Sequence, residues 1–173
     1  MKSRLLVLAI VTLALPMLAR AEKPVLKPYA AAAPYGGIPL WSPGDKFVAV
    51  SGSACDGTCP VYELYVFEDG RVVFSGRKNT SKSGVWNKKV APEVYAELLT
   101  TIVRTKVLDE EIKRRTCLKG RSMLLVMRSE ANTGDVRSVS LNSGCEGYAD
   151  LVKQIEGQFI DSTGVARWLV PPK

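Results

Sequence analysis

The alternation of apolar and polar positions predicts a set of short β-strands. In Val61–Phe67 both alternating sets carry aromatic or branched side chains, so we expect this strand to be covered on both faces, at the centre of a sheet. The other predicted strands are Lys46–Ser51, Arg71–Ser75, Val85–Val90, Met123–Arg128 and Val136–Leu141. The strands therefore fall into two groups, separated by a long non-strand segment.

A short polar connection joins the second and third predicted strands. Asp69-Gly70 is a dipeptide typical of the two-residue type I′ hairpin turn, which requires positive φ at both positions. This turn would place Glu68 opposite Arg71. We therefore expect a tight hairpin with its tip at Asp69 and Gly70.

Two segments show the helical period instead. One begins at Pro92, ends near Lys106 and carries the apolar stripe Val94, Leu98 and Ile102 beside Tyr95, Leu99 and Val103. The other spans Tyr148–Ile160, with Gly164 as its expected stop and Trp168 closing the core. The order of elements predicts an α+β fold, in which two amphipathic helices pack on one face of an antiparallel sheet. We expect a single domain over residues 46–170.

The chain before this domain has a different composition. Residues 22–45 hold five of the ten prolines and show no period, so they indicate an extended tether or a strap across the domain surface. Tyr35 and Trp41 are the side chains we expect to dock.

The N-terminal residues 1–21 have the pattern of a signal peptide. Lys2 and Arg4 precede an apolar run from Leu5 to Leu15, and Ala19-Arg20-Ala21 is a small-x-small cleavage site. The apolar run is shorter than the roughly 20 residues of a spanning helix, which disfavours the alternative of an uncleaved anchor. We expect cleavage after Ala21 and a periplasmic or secreted protein that does not span the membrane.

Charge gives limited information about partners. Lys+Arg number 24 and Asp+Glu 17, a net charge of +7, and loss of three basic residues with the signal would leave +4. The basic clusters lack the interleaved aromatic residues that stack on bases, so we expect no nucleic-acid binding. An anionic cell-envelope partner fits the charge. The clusters are Arg77/Lys78/Lys82/Lys88/Lys89 and Lys113/Arg114/Arg115/Lys119/Arg121.

The absence of histidine excludes several classes of enzyme. Ser-His-Asp triads, Cys-His pairs and histidine-ligated zinc all need imidazole. The carboxylate run at residues 109–111 has the composition of an exposed turn, and no glycine-rich phosphate loop is present. We therefore expect no catalytic residue, no metal and no cofactor.

Four cysteines remain: Cys55, Cys59, Cys117 and Cys145. In an exported chain they predict structural disulfides, for which three connectivities are possible. Pairing 55 with 59 would stabilise the fold by about 2 kcal/mol and pairing 117 with 145 by about 3.5 kcal/mol in the loop-entropy model, while crossed pairing stays open. One alternative is a redox pair formed by Cys55 and Cys59, which is disfavoured by the CxxxC spacing and by the strand that follows. A zinc site is also disfavoured, because an all-cysteine site needs two CxxC pairs.

The stretch CDGTCPVYELYVFEDGRVVFSG resembles the bacterial DUF6438 family of domains of unknown function. The resemblance rests on a Cys-x-Gly-x-Cys-Pro-x-Tyr segment, a strand, an Asp-Gly turn and a strand ending in glycine, and it covers about Phe47 to Trp168. Asp56 departs from it, since an aromatic residue is expected there. The resemblance implies pairing of Cys55 with Cys59 and no particular substrate. The matching residues are Cys55, Gly57, Cys59, Pro60, Tyr62, Asp69, Gly70 and Gly76.

These observations favour an exported, non-enzymatic binding or inhibitor-like module that contacts a protein or envelope partner. Loops on a rigid scaffold usually carry binding residues. The alternative is a thiol-disulfide redox protein that uses Cys55 and Cys59. The candidate binding residues are Asp56, Gly57, Thr58, Asp69, Gly70, Arg114 and Arg115.

Overall fold

The computed structural model describes residues 40–108, 120–130 and 136–170. Within them, six strands form one antiparallel sheet in the order β4-β3-β2-β1-β5-β6. The strands are β1 Phe47–Gly52, β2 Val61–Phe67, β3 Arg71–Lys78, β4 Gly84–Lys89, β5 Ser122–Arg128 and β6 Arg137–Asn142. The helices are α1 Glu93–Thr105, α2 Ala149–Thr163 and α3 Ala166–Leu169. The segment predicted to be a signal peptide, most of the proline-rich segment, Cys117, Arg114 and Arg115 fall outside the described residues.

The predicted α+β class is confirmed. β2 lies between β1 and β3, as its two apolar faces indicated. Leu64 and Val66 on one face of β2 are fully buried, and Tyr65 and Phe67 on the other face are at most 7% exposed. This strand is therefore at the centre of the fold because its side chains can be removed from water in both directions.

Both long helices pack on the first face of the sheet, as predicted. α1 buries Tyr95, Leu98 and Ile102, whereas Val103 is 56% exposed, so the apolar stripe of α1 is narrower than the sequence indicated. α2 ends at Thr163 and is capped by Gly164, whose φ of 63° is the left-handed conformation expected at a helix C-cap. The residues that α2 buries are Val152, Ile155, Phe159 and Thr163.

In the described part of the chain, no helix is long and apolar enough to cross a membrane.

The short helix α3 was not predicted, but it positions the residue that was expected to close the core. Trp168 on α3 packs edge-on against Phe74 of β3, with ring centroids 5.5 Å apart. The Trp168 carbonyl also accepts a hydrogen bond of 3.0 Å from the backbone N–H of Ser81. The C-terminal part of the domain is thereby attached to the β3–β4 hairpin.

The second face of the sheet carries its own apolar cluster, formed by Phe47, Ala49, Tyr65, Phe67 and Val73. Trp41 packs on this cluster, with its ring centroid 5.4 Å from that of Phe47. The expected docking of Trp41 is therefore seen, whereas Tyr35 lies outside the described residues.

The β2–β3 turn differs from the predicted type I′ turn. β2 ends at Phe67 and β3 begins at Arg71, so the connection has three residues. Gly70 has φ of 78°, but Asp69 is not among the non-glycine residues with positive φ in the described chain. The Asp69 carboxylate instead accepts a hydrogen bond of 2.9 Å from the Arg71 N–H. The connection is therefore a three-residue turn in which Gly70 alone has a left-handed conformation.

The longer turn also changes the predicted neighbour of Glu68. Glu68 pairs with Lys46 at 2.8 Å, and the Arg71 guanidinium donates to Asp45 at 3.1 Å. The expectation that Glu68 faces Arg71 is therefore wrong, because the extra turn residue points the two side chains to different neighbours.

Candidate functional site

The loop between β1 and β2 is closed by a disulfide bond. Cys55 and Cys59 are bridged, with their Cα atoms 5.7 Å apart. Inside the loop the Gly57 N–H donates to the Cys55 carbonyl at 2.8 Å. The tip is exposed to solvent and consists of Asp56, Gly57 and Thr58. This small ring confirms the pairing that the family resemblance implied.

Hydrogen bonds from neighbouring elements hold both ends of this disulfide loop. On one side, Arg121 donates from Nε to the Ser53 carbonyl at 3.2 Å and from Nη2 to the Pro60 carbonyl at 2.9 Å. On the other side, the Asn79 amide donates to the Cys59 carbonyl at 3.1 Å. The base of the loop is therefore attached to β5 and to the β3–β4 turn, while its tip stays exposed.

Arg121 belongs to a polar cluster beneath the disulfide loop. Its Nη1 lies 2.7 Å from Oε1 of Glu156, and the two side chains are 16% and 15% exposed. The Tyr62 hydroxyl donates to the same carboxylate oxygen at 2.5 Å. Burial is the main cause that raises the pKa of Tyr62 well above its usual value, and the Glu156 charge adds to it, so the phenol remains a donor. The cluster joins β2, the start of β5 and α2.

Gly52, the last residue of β1, leaves room for this cluster. A Cβ at that position would lie 1.6 Å from Nη2 of Arg121. Only a residue without a side chain permits the guanidinium to cross the end of β1 and reach Pro60.

This polar cluster was not predicted from the sequence. Arg121 was placed in a basic cluster, and Tyr62 was considered as a strand residue and as the tyrosine of the cysteine motif, but no contact between their side chains was predicted. One signal was available, because Glu156 follows Val152 by four positions and so shares the buried face of its helix. A carboxylate on a buried helix face requires a polar partner.

The predicted binding residues do not form one surface. The disulfide loop precedes β2, and the turn with Asp69 and Gly70 follows it, so the two lie at opposite ends of this strand. A strand of seven residues spans about 23 Å. Arg114 and Arg115 fall outside the described residues. Of the predicted residues that the structure describes, Asp56, Gly57 and Thr58 form one group at the start of β2, and Asp69 and Gly70 form a second group at its other end.

The first basic cluster is partly engaged within the protein. Arg77 is ion-paired with Glu63 at 2.6 Å, and Lys88 donates to the Thr163 carbonyl at 2.6 Å. The ion pair compensates the charge of Arg77, and the hydrogen bond holds the Lys88 ammonium against the end of α2. The exposed lysines of the cluster are Lys78 and Lys89.

Outside the disulfide loop, the structure describes one further cysteine, Cys145. Cys145 is disulfide-bonded, and its predicted partner Cys117 lies outside the described residues. In the part of the chain that the structure describes, no group of three or more Cys, Asp or Glu side chains could hold a metal ion. Cys59 is followed by Pro60 and β2, so no helix that could stabilise a thiolate begins at this cysteine.

Comparison with known proteins identifies the domain. The family described as Domain of unknown function (DUF6438) matches residues 46–158, which is more than half of the chain and runs from the start of β1 into α2. A search of curated proteins finds no match to the chain.

Proposed function

The chain belongs to the DUF6438 family of domains of unknown function, and we propose that it is an exported, non-enzymatic module that binds a protein partner through its disulfide loop. One observation carries this proposal. The loop combines an exposed tip at residues 56–58 with a base held by Arg121 and Asn79.

Such a loop is well suited to recognition because it is ordered before it binds. Association costs free energy for every flexible group that becomes fixed, and a loop that is already rigid avoids much of this cost. The Asp56 carboxylate, the Thr58 hydroxyl and the exposed backbone of the tip supply polar contacts. An inhibitor of an envelope hydrolase is one concrete form of this function.

Export is the second part of the proposal. Its support is the signal-like pattern of residues 1–21 together with the Cys55–Cys59 bridge, since structural disulfides persist mainly in oxidising compartments. Mass spectrometry of protein isolated from the periplasm, alkylated without reduction, tests it. We expect a chain that starts at Glu22 with unlabelled cysteines. A substantial fraction of labelled Cys55 or Cys59 would support the redox alternative instead.

The binding role is tested by capture of partners from an envelope extract on the immobilised protein. We expect a stoichiometric partner whose affinity falls at least tenfold when Asp56 and Thr58 are both replaced by lysine. The control for reversing a carboxylate charge is Glu130→Lys, an exposed residue just beyond the end of β5, at the end of the sheet opposite to the disulfide loop. If the loop variant binds like the wild type, the disulfide loop is not the contact surface.

A further inference from the structure

The strand β4 forms an open edge of the sheet. It pairs with β3 on one side, and among the residues that the structure describes no strand pairs with its other side. Five of its six residues are exposed to solvent, and Lys88 is half-buried. The exposed edge of a strand presents backbone N–H and C=O groups that can pair with another extended chain.

A hydrogen bond just beyond β4 shows which of its backbone groups face outward. The Val90 N–H donates to the Gly70 carbonyl at 2.9 Å, on the β3 side. Because backbone groups alternate in direction along an antiparallel strand, every second residue before Val90 also faces β3. The residues between them, which direct their N–H and C=O groups to the open edge, are Val85, Asn87 and Lys89.

Two large apolar side chains lie on this edge. Val85 is 56% exposed and Trp86 is 40% exposed. Because they are consecutive in a strand, their side chains project from opposite faces of the sheet. A further strand laid along β4 would therefore cover apolar surface on both faces at once.

Trp86 is held in place although it is exposed. Its indole N–H donates to the Ser83 carbonyl at 2.8 Å, and Nζ of Lys82 lies 3.9 Å from the centre of its ring. A side chain that is already fixed loses less entropy when a partner covers it.

The β3–β4 hairpin carries charge of one sign. Residues 71–89 contain six basic side chains and no carboxylate. Two of these cations are compensated within the protein, because Arg71 pairs with Asp45 and Arg77 pairs with Glu63. The lysines of the hairpin that form no ion pair with a described residue are Lys78, Lys82, Lys88 and Lys89. This charge complements a segment that bears carboxylates.

We propose that β4 binds an extended, acidic segment of another protein, which joins the sheet as a further strand. Backbone hydrogen bonds to the outward groups of β4 supply affinity in this mode of recognition, and alternate side chains supply specificity. Lysines on an edge strand also oppose pairing with basic or uncharged strands, a restriction that an acidic strand escapes. The inference goes beyond the role of the disulfide loop, because that loop precedes β2, and β3 lies between β2 and β4.

Hydrogen exchange measured by NMR on the mature protein tests the inference. The probe is the end-blocked peptide Glu-Glu-Thr-Val-Val-Thr. In the antiparallel register its glutamates lie opposite Lys89 and Lys88, and its valines lie opposite the two exposed apolar side chains of β4. We expect the outward amides of Val85, Asn87 and Lys89 to exchange about tenfold more slowly at about 90% occupancy, because only the free fraction exchanges. The amides that already face β3 should change little.

Two comparisons separate the backbone contribution from the charge. Asn87→Pro removes one outward N–H at a position where an edge strand tolerates proline, and it should abolish the protection. The matched control Asn87→Ala keeps this N–H and should bind like the wild type. The peptide Lys-Lys-Thr-Val-Val-Thr should bind about tenfold more weakly than the acidic peptide. Should Asn87→Pro fail to fold, the exposed Lys89→Glu variant replaces it and should weaken binding of the acidic peptide.

Four results would overturn the proposal. Unchanged exchange of the three outward amides at millimolar acidic peptide would show that the edge accepts no strand. Equal binding by the proline and alanine variants, or of the two peptides, would remove the backbone or the charge from recognition. Protection that rises with protein concentration without peptide would show that a second copy occupies the edge. Vesicles of anionic phospholipid that perturb these amides when the peptide does not would identify a membrane contact instead.

Discussion

The Tyr62 hydroxyl donates a hydrogen bond of 2.5 Å to Glu156, which joins β2 to α2 across 94 positions of sequence. Tyr62 is also the tyrosine of the Cys-x-Gly-x-Cys-Pro-x-Tyr segment. Because Arg121 contacts both Glu156 and the Pro60 carbonyl, the cysteine motif is connected to the helical layer through three side chains. The motif therefore has a structural explanation that requires no catalysis.

Removal of the Tyr62 hydroxyl should destabilise the protein without a change of fold. We expect Tyr62→Phe to lower the free energy of unfolding by about 1.5–3 kcal/mol, because a hydrogen bond to a charged group is lost and the Glu156 carboxylate keeps only its ion pair. Urea denaturation measures this change. The control is Tyr95→Phe, since the buried Tyr95 has no hydrogen bond from its hydroxyl to a described residue. Equal losses in the two variants would show that the Tyr62–Glu156 bond contributes little.

A methyl group at Gly52 should displace Arg121. The added Cβ would lie 1.6 Å from Nη2, so the guanidinium must leave Pro60 and Glu156. We expect Gly52→Ala to cost about 2–4 kcal/mol, because Glu156 then remains partly buried without its cation. The control is Gly157→Ala on α2, where a Cβ meets no atom within 4 Å and should stabilise the helix by about 0.5–1 kcal/mol. A Gly52→Ala protein as stable as the wild type would contradict this role for Gly52.

Loss of the Cys55–Cys59 bridge should weaken the fold moderately. The bond closes a loop with a sequence separation of 4, for which the loop-entropy model gives about 2 kcal/mol. We expect the variant with both Cys55 and Cys59 replaced by serine to remain folded. Its free energy of unfolding, measured by denaturant unfolding without reductant, should be lower than that of the wild type by about 2 kcal/mol. Complete unfolding would mean that Arg121 and Asn79 cannot hold the loop without the disulfide.

The buried carboxyl of Glu63 should make stability depend on pH. Burial raises the pKa of Glu63 above its ordinary value, and the Arg77 cation only partly offsets this shift. Between the unfolded and folded pKa values the native protein binds the proton more tightly, so its stability falls as pH rises through that range. In the Glu63→Gln variant the side chain is an amide, which does not lose a proton in this pH range. We therefore expect the variant to become more stable relative to the wild type as pH rises from about 4 to about 7.

Urea denaturation at the two pH values measures this difference. The exposed Glu97→Gln variant controls for the loss of one negative charge. A constant stability difference between Glu63→Gln and the wild type at both pH values would contradict the assignment of Glu63 as the responsible group.

Much of the fold follows from local patterns in the sequence. The strands, the two long helices and the helix stop at Gly164 were predicted because side-chain periodicity and glycine conformation act over a few neighbouring residues. The pairing of Cys55 with Cys59 followed from the family motif. The β2–β3 turn was mispredicted, since Asp-Gly also fits a longer turn in which only Gly70 takes positive φ.

The polar cluster and the surfaces depended on the tertiary structure. Arg121 belongs by sequence to a run of basic residues, yet packing places it beneath the disulfide loop, where carbonyls from distant segments accept its hydrogen bonds. The two predicted binding loops lie at opposite ends of β2 because antiparallel pairing reverses the chain at each turn. Periodicity tells which side chains leave water, but the partner of a buried polar group is set by the contacts between elements that are far apart in sequence.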